Sequence, residues 1–221
     1  MNDIKNDKYY PVFLNLKGKK CVVAGGGAVA ERKIMALLGT GARIRVISPD
    51  VTAGLDKLIK SGKIKHSERR FRKGDAARAF LVIAATSDEN VNKRVFEDSK
   101  GLVNAVDMPE LCNFIVPSVM SKGPLQIAIS SSGLSPAFSK TLRKDLENYF
   151  SKDLSSYLTW LKDVRGKIKK KMPGTSREAT EKRLKILKKI GSKEVIDMIK
   201  TKGLGKAKAY VEKMIDKDWE H

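Results

Sequence analysis

The chain has 221 residues, of which 41% are hydrophobic, enough for one ordinary domain with a core and a smaller domain beside it. Its formal charge of +20, from 45 Lys and Arg against 25 Asp and Glu, would attract a polyanion such as nucleic acid, anionic membrane or a small polycarboxylate. Aromatic residues make up only 6%, and no basic stretch is interleaved with stacking residues, which disfavours a platform for single-stranded nucleic acid.

The sequence contains neither a recognisable targeting segment nor a membrane span. Its start, MNDIKNDKYY, is polar, and no run of about 18 apolar residues follows. Cys21 and Cys112 lie far apart, and we interpret both as small core residues, not as a disulfide or a metal pair. We therefore expect a cytoplasmic protein that binds no membrane and holds no resident metal ion.

A glycine loop joins the first predicted strand to the first predicted helix. The loop follows the apolar run Cys21–Ala24 and, with Ala30, matches the pattern G-x-G-x-x-A of dinucleotide-binding proteins. Such a loop turns tightly and lets the backbone approach a pyrophosphate, which the free N–H groups at the helix start also bind. The predicted pyrophosphate-binding residues are Gly25, Gly26, Gly27, Ala28 and Val29. The alternative is a flexible glycine turn in another kind of α/β protein.

The segment after the second predicted strand supplies candidates for the adenosine end of the cofactor. The strand Arg43–Ile47 runs into Ser48, Pro49 and Asp50, and an acidic residue near this place binds the ribose hydroxyls in Rossmann proteins. We predict this role for Asp50, with Ser48 and Pro49 beside it; the alternative is a turn that caps the next helix. No arginine follows at once to hold a 2′-phosphate, which favours NAD over NADP.

The strongest strand signal is Phe80–Ala85, a continuous apolar run of the kind that parallel sheets bury. The strand ends at Thr86, and a helix is predicted to begin around Glu89. Because ligands of open α/β sheets bind at the carboxyl ends of the strands, Thr86, Asp88 and Asn90 are candidates for the cofactor edge. The alternative for Asp88 is an ordinary helix N-cap.

Asp107 stands at the carboxyl end of the next predicted strand, Leu102–Val106. A carboxylate there would face a ligand that lies across the same edge of the sheet. The alternative is that Asp107, which precedes Met108, Pro109 and Glu110, only shapes a turn.

The pattern then changes to a smaller β unit followed by helices. Phe114–Met120 and Leu125–Ile129 are two predicted strands joined by a tight turn, and Pro136 opens a helix that ends near Phe150. That helix carries Phe138, Leu142 and Leu146 on one face. Residues 151–221 are helical and basic, with 20 Lys and Arg against 10 Asp and Glu. The predicted packing residues of these helices are Leu184, Leu187, Ile190, Val195, Ile196 and Ile199.

Four stretches of this chain occur in an order that is typical of one enzyme family. They are YPVFLNLKGKKCVVAGGGAVAERK, AATSDENVN, GLVNAVDMPELCNFIVPS and PLQIAISSSGLSPAFSKTLR, and they cover about Tyr10 to Phe150. In this combination the sequence resembles the precorrin-2 dehydrogenase/sirohydrochlorin ferrochelatase family, which forms the front half of siroheme synthases. The C-terminal third is compatible with the helical domain of that family.

The resemblance implies an α/β fold with a Rossmann-type parallel sheet, a small α+β dimerisation domain and a helical C-terminal domain. The expected boundaries are residues 1–113 for the NAD-binding domain, 114–150 for the dimerisation domain and 151–221 for the basic helices. It also implies a homodimer that oxidises precorrin-2 to sirohydrochlorin with NAD as hydride acceptor. Some members of the family insert ferrous ion as well.

Two site residues follow from the resemblance. Asp107 falls on the aspartate of the N-x-V-D motif, where it looks like the general base. Ser131 precedes the S-G-x-S-P turn, a place close to the tetrapyrrole in similar proteins, and its neighbours Ser130 and Ser132 are the alternatives. Precorrin-2 is a polycarboxylate, so a cleft lined by Lys and Arg would raise its capture rate and its affinity.

Two other classes of function share parts of this pattern. A regulatory NAD-sensing module would have the glycine loop but would need no acid at a strand end that faces the nicotinamide. A nucleic-acid binder would use the basic helices of residues 151–221. The four ordered motifs favour the dehydrogenase.

Overall fold

A computed structural model describes residues 9–150 and 152–217. The chain divides into two units, the first ending at Val116 and the second beginning at Pro117. Phe114 still packs against the core of the first unit. The expected boundaries at residues 113 and 150 stay predictions, and each unit is described by itself.

A parallel sheet forms the centre of the first unit. Its strands are β1 (Lys20–Ala24), β2 (Arg43–Ser48), β3 (Lys65–Glu68), β4 (Leu81–Ala84) and β5 (Leu102–Ala105). Within the described residues their order is β3-β2-β1-β4-β5, and every neighbouring pair is parallel. From β1 the chain adds strands β2 and β3 on one side, and it then returns to add β4 and β5 on the other side. The strand order therefore reverses between β1 and β4, which creates the crevice where such folds bind ligands. The Rossmann-type fold class predicted from the sequence is thus confirmed.

Helices cover this sheet on both faces. They are α1 (Ala28–Leu38), α2 (Ala53–Lys60) and α3 (Glu89–Asp98), and a 3₁₀ turn follows at Pro109–Leu111. Side chains alternate between the faces of a strand. Accordingly, Cys21 and Val23 of β1 pack in the cluster that contains Ile34 of α1, whereas Val22 and Ala24 pack in the cluster that contains Val95 of α3.

The second unit combines a two-stranded antiparallel sheet with helices. The strands are β6 (Ser118–Lys122) and β7 (Leu125–Ile129), and the helices are α4 (Pro136–Tyr149), α5 (Lys152–Lys171), α6 (Arg177–Ile190), α7 (Lys193–Lys202) and α8 (Leu204–Lys217). Ser135 caps α4 by accepting the N–H of Phe138, and the Lys122 ammonium donates to the backbone carbonyls of Glu147 and Phe150 at its other end. Both ends of α4 are therefore fixed by side chains.

The helices α5 to α8 share a core of their own, with Tyr157 and Ile190 among its buried residues. The packing face of α6 is predicted in part: Leu187 and Ile190 pack in this core, whereas Leu184 is 52% exposed and the buried residue of the preceding turn is Ile186. Ile186 and Ile190 lie four residues apart and therefore share one face of the helix. The predicted residues Leu184, Leu187 and Ile190 are spaced by three and then by three again, so they move progressively around the helix. On α4, Phe138 and Leu142 share a face as predicted, but that face is exposed.

Within residues 9–150 and 152–217, none of the helices combines the length and the apolar character that crossing a bilayer requires. Cys21 is buried in β1, and burial raises the pKa of its thiol. Neither Cys21 nor Cys112 forms a disulfide in the described part of the chain. Cys21 is the core residue that the sequence predicts, whereas Cys112 also makes polar contacts that are described below.

Candidate functional site

The carboxyl ends of the parallel strands surround a cavity of about 750 Å³. Four segments predicted to bind the cofactor line this cavity, namely Gly25–Val29, Ser48–Asp50, Thr86 and Asp88. Asp107 lines it as well. Eleven of the thirteen residues proposed from the sequence therefore meet in one place in the first unit, whereas Asn90 and Ser131 do not line the cavity. The roles of all these residues stay proposals.

Two of the three loop glycines are required by the protein backbone itself. Gly25 has φ +110°, and a Cβ on it would lie 2.3 Å from the carbonyl oxygen of Ala85. A Cβ on Gly26 would lie 2.1 Å from the carbonyl oxygen of Asp50. The backbone at the end of β1 thus lies too close to Ala85 and Asp50, which follow β4 and β2, for a side chain at Gly25 or Gly26. This close approach shapes one wall of the cavity.

Gly27 is different, because a Cβ on it would meet no atom of the described residues within 4 Å. It is the N-cap of α1 and has no side chain with which to cap the helix. By contrast, α2 and α3 are capped by the side chains of Thr52 and Asp88. The N–H groups of Ala28 and Val29 therefore have no acceptor among the described residues, and both residues line the cavity. This space and these donors fit the pyrophosphate of a dinucleotide.

Asp50 does not cap the following helix, which rules out the alternative reading of the Ser-Pro-Asp segment. Thr52 is the cap of α2: its hydroxyl oxygen accepts the N–H of Leu55, and its hydroxyl donates to Oε2 of Glu31 at 2.5 Å. The Asp50 carboxylate is exposed on the cavity wall and has no hydrogen-bond or ion-pair partner among the described residues. It is available to bind a ribose.

Asp88 is a helix cap, as its alternative reading proposed, and it also lines the cavity. Its Oδ1 accepts the N–H groups of Asn90 and Val91 at the start of α3. The Thr86 hydroxyl donates within a cluster that contains Asn92, whose amide in turn donates to the Thr86 carbonyl at 3.1 Å. Asn92 is 3% exposed and thus fixes Thr86 from inside the protein. The sequence reading missed Asn92, although its helix position relative to Thr86 could have suggested it.

Arg70 and Phe71 line the cavity without having been predicted. They follow β3, which pairs with β2, and the signal that could have found them is the same rule that selected Asp50: residues just beyond a strand's carboxyl end face the crevice. Arg70 lies 20 positions beyond Asp50 in the sequence, far from the residues directly after Asp50 where an arginine for a 2′-phosphate would be expected.

Asp107 occupies a turn with a left-handed backbone conformation, φ 59°. Few residues other than glycine adopt it, and Asp and Asn tolerate it best. The turn-shaping role is thus real, and the Asp107 carboxylate lies on the cavity wall as well. Cys112 holds this turn: its Sγ accepts the N–H of Ala105 at 3.2 Å and lies 3.4 Å from the carbonyl oxygen of Met108.

The outer edge of β5 is covered by the segment that follows this turn. Val103 donates its N–H to Oδ1 of Asn113 and accepts the N–H of Asn113 in return, at 2.7 and 3.0 Å. The buried amide of Asn104 donates to the Phe114 carbonyl at 3.2 Å. An edge strand needs such covering. Here the cover also fixes the strand end that carries Asp107.

The half-buried ammonium of Lys33 on α1 provides positive charge near this turn. Burial lowers the pKa of Lys33, and Arg32 lowers it further, whereas Cys112 and the Asp107 carboxylate act in the opposite direction. Burial also raises the pKa of Cys112, so its thiol stays protonated at neutral pH. Lys33 is thus close enough to interact electrostatically with the Asp107 carboxylate.

Ser131 belongs to the second unit, in the turn before α4. Its Oγ accepts the N–H of Ser135 at 3.0 Å and the hydroxyl proton of Ser139, which is 5% exposed. Ser130 and Ser132 are exposed, and Ser132 has φ 51°. Ser131 is therefore the serine of this run that the helix start holds in place, and its role stays a proposal.

No group of three or more His, Cys, Asp or Glu side chains within residues 9–150 and 152–217 is placed to hold a metal ion.

Two family models match this chain. The model described as NAD(P)-binding matches residues 12–118, and the model described as sirohaem biosynthesis protein, central, matches residues 122–149. Their order along the chain agrees with the parallel sheet of the first unit and the small β unit of the second.

Curated relatives and a solved structure agree with these models. A siroheme synthase of Neisseria meningitidis serogroup C (strain 053442) is 40% identical over 73% of this chain and 35% of its own length. One from Actinobacillus succinogenes is 35% identical over 96% of this chain and 44% of its own length. The chain thus spans less than half of these relatives.

The solved structure of SirC, precorrin-2 dehydrogenase, matches 93% of this chain and 100% of its own, with a TM-score of 0.73 and 28% identity. The match therefore covers the full length of SirC, whereas it covers less than half of the siroheme synthases. From the two family models, these relatives and this structure, the chain belongs to the siroheme synthase and precorrin-2 dehydrogenase family.

Proposed function

We propose that this chain is an NAD-dependent dehydrogenase that oxidises precorrin-2 to sirohydrochlorin in siroheme biosynthesis. The observation that carries the proposal is the shared cavity: the dinucleotide loop Gly25–Val29 and the Asp107 carboxylate line the same crevice. A regulatory NAD-sensing module would need the loop and no acid at the end of β5.

The first step of the function is to bind the cofactor. The open space at Gly27 and the free N–H groups of Ala28 and Val29 would receive the pyrophosphate, while Asp50 would accept hydrogen bonds from the adenosine ribose. Thr86 and Asp88 form the cavity wall at the end of β4. Bound NAD supplies the hydride acceptor of the reaction.

Asp107 is the proposed general base. Oxidation of precorrin-2 removes a hydride from one carbon of the macrocycle and a proton from the adjacent carbon, so a base must lie beside the second carbon. The turn fixed by Cys112 holds the Asp107 carboxylate at the end of β5. From that place the carboxylate accepts the proton and later releases it to solvent.

The second unit supplies the other proposed features. Ser131 contacts the tetrapyrrole, and the chain works as a homodimer through its small β unit. Support for the homodimer comes from apolar side chains that the second unit leaves exposed, among them Val119, Leu134 and Phe138 at 45%, 69% and 63% exposure. Exposed apolar groups in such number are typical of interfaces.

Ferrous ion is a proposed second substrate, with Asp107 accepting pyrrole protons if iron is inserted. We further propose that the chain acts in the cytoplasm, where thiols such as those of Cys21 and Cys112 stay reduced.

The test is anaerobic incubation of the chain with precorrin-2 and NAD, followed by absorbance. We expect NADH and sirohydrochlorin to form in equal amounts. A parallel incubation with ferrous or cobaltous ion measures whether the macrocycle is metallated. Binding of NAD without turnover would contradict the dehydrogenase and favour the sensing module.

A further inference from the structure

The pairing of β2 with β3 brings the segments that carry Asp50 and Arg70 to the same edge of the sheet, where both residues line the cavity. Ser48 of β2 is in register with Glu68 of β3, and these are the last residues of the two strands. Asp50 and Arg70 each lie two residues beyond this pair, in the loops that follow the two strands. Both side chains are exposed and both line the cavity.

The Arg70 guanidinium is available for a ligand. Its neighbour Arg69 is committed to Asp75, with two hydrogen bonds of 2.7 and 2.8 Å between guanidinium and carboxylate. Arg70 has no side-chain hydrogen bond or ion pair with any residue that the structure describes, Asp50 included. It is also the one cation among the described residues that line the cavity.

The backbone that carries Arg70 is fixed. Phe71 is 9% exposed and packs in the core beneath the sheet, next to residues such as Ile47. Further along the loop, the Asp98 carboxylate accepts the N–H groups of Gly74 and Ala76 at 2.7 and 2.9 Å. The backbone of the loop is therefore held in place where Arg70 lines the cavity, and little backbone entropy is lost when a ligand binds there.

We infer that Arg70 is a specificity-determining residue whose guanidinium binds the 2′-phosphate of NADP, so that this cavity accepts NADP as well as NAD. The inference rests on the proposed function, because it needs the dinucleotide to lie with its adenosine end at β2. In Rossmann folds an acid at this place binds the 2′-hydroxyl, and a nearby arginine accommodates a 2′-phosphate. Arginine suits a phosphate because its planar fork donates two parallel hydrogen bonds.

Asp50 and Arg70 act in opposite directions on the same group. The Asp50 carboxylate repels a 2′-phosphate and accepts hydrogen bonds from a free ribose, so NAD remains the better ligand. Arg70 offsets part of that repulsion, and the discrimination against NADP becomes the difference between two effects of similar size.

Calorimetry with NAD and with NADP on the whole chain tests this inference. Arg70→Ala should weaken NADP binding by about 10- to 100-fold, the range for a hydrogen bond to a charged group, and should change NAD binding by less than about threefold. Arg72→Ala is the matched control, since it removes the same charge from an exposed residue of the same loop that does not line the cavity. It should leave both affinities unchanged.

Three results would overturn the inference. One is an equal loss of NAD and NADP affinity in Arg70→Ala, which would place the guanidinium on a part common to both nucleotides. The others are NADP binding that does not change in this variant, and a wild type that binds NAD but shows no NADP binding at millimolar concentration. A wild type that binds neither nucleotide would overturn the proposed function together with the inference.

Discussion

Cys112 accepts the backbone N–H of Ala105 on its sulfur at 3.2 Å, and so ties the segment after Asp107 to the strand before it. Cys112→Ala leaves this N–H without a partner in a partly buried place, which costs about 1–3 kcal/mol. We expect a lower free energy of unfolding in urea and a lower kcat, with NAD affinity unchanged because the glycine loop is not touched. Cys112→Ser keeps a donor and an acceptor and should lose less of both.

Cys21→Ala is the control for a lost buried thiol, because Cys21 lies inside β1 and not at the turn. It should lower stability through the cavity that it leaves and should not change kcat. Wild-type stability and kcat in Cys112→Ala would show that the thiol does not hold the turn.

Asp107→Asn tests the proposed base. Asparagine keeps the size of the side chain and tolerates φ 59°, but it cannot accept the proton. We expect unchanged folding and NAD affinity, and a turnover lower by about 10² or more, the usual contribution of a positioned base. If the folded variant oxidises precorrin-2 within a few-fold of the wild-type rate, Asp107 is not the base.

The loop glycines should separate folding from binding. Gly25→Ala forces a Cβ into a strained backbone conformation and against the Ala85 carbonyl, so it should cost at least about 1–3 kcal/mol of stability. The Cβ that Gly27→Ala adds meets no atom of the described residues within 4 Å, so the free energy of unfolding of this variant should stay within about 0.5 kcal/mol of wild type. It fills the space proposed for the pyrophosphate, so its NAD affinity in calorimetry should fall by about tenfold or more.

Gly27→Val is the stronger form of the second change. A Gly27→Val protein that still bound NAD with wild-type affinity would remove the loop from the proposed cofactor site, even if Gly25→Ala behaved as expected.

Tyr157 gives the helices of the second unit a signature at high pH. Its hydroxyl donates to the Ile190 carbonyl at 2.7 Å, and burial raises the pKa of Tyr157 to about 12, above the ordinary value of 10.0. The stability from this protonated hydroxyl is fully present below pH 10.0 and is lost as the pH rises towards 12. Tyr157→Phe should cost about 1 kcal/mol at neutral pH. The difference from wild type in urea unfolding should shrink between these two pH values.

The positive charge should serve a small polycarboxylate and not DNA. Substrate affinity is expected to fall with added salt, because contacts between solvent-exposed charges are screened. Duplex DNA at physiological salt should bind no better than the non-specific range, a Kd of about 10⁻⁴–10⁻⁶ M. Fluorescence anisotropy with labelled DNA measures this, and a nanomolar, sequence-selective complex would refute the interpretation.

The sequence predicts features that a short segment determines by itself. The glycine loop and the position of Asp107 at a strand end follow from local patterns, and the structure brings both to one cavity. Arg70 could not be predicted in this way, because its presence in the same cavity as Asp50 depends on which strands pair. On α6 only Leu184 was predicted wrongly, because the spacing of three drifts around the helix, whereas Ile186 and Ile190 stay on one side.

Phe71 and Arg70 are adjacent residues with opposite destinations, the ring in the hydrophobic core and the guanidinium at the cavity. Because the two residues are adjacent, inserting or deleting one residue just after β3 would shift both side chains by one position along the loop. A charge would then move toward the core, or an aromatic ring toward the nucleotide. The length of this segment thus links the stability of the fold to the choice of cofactor, and an engineer who wishes to alter the second must substitute residues there without changing their number.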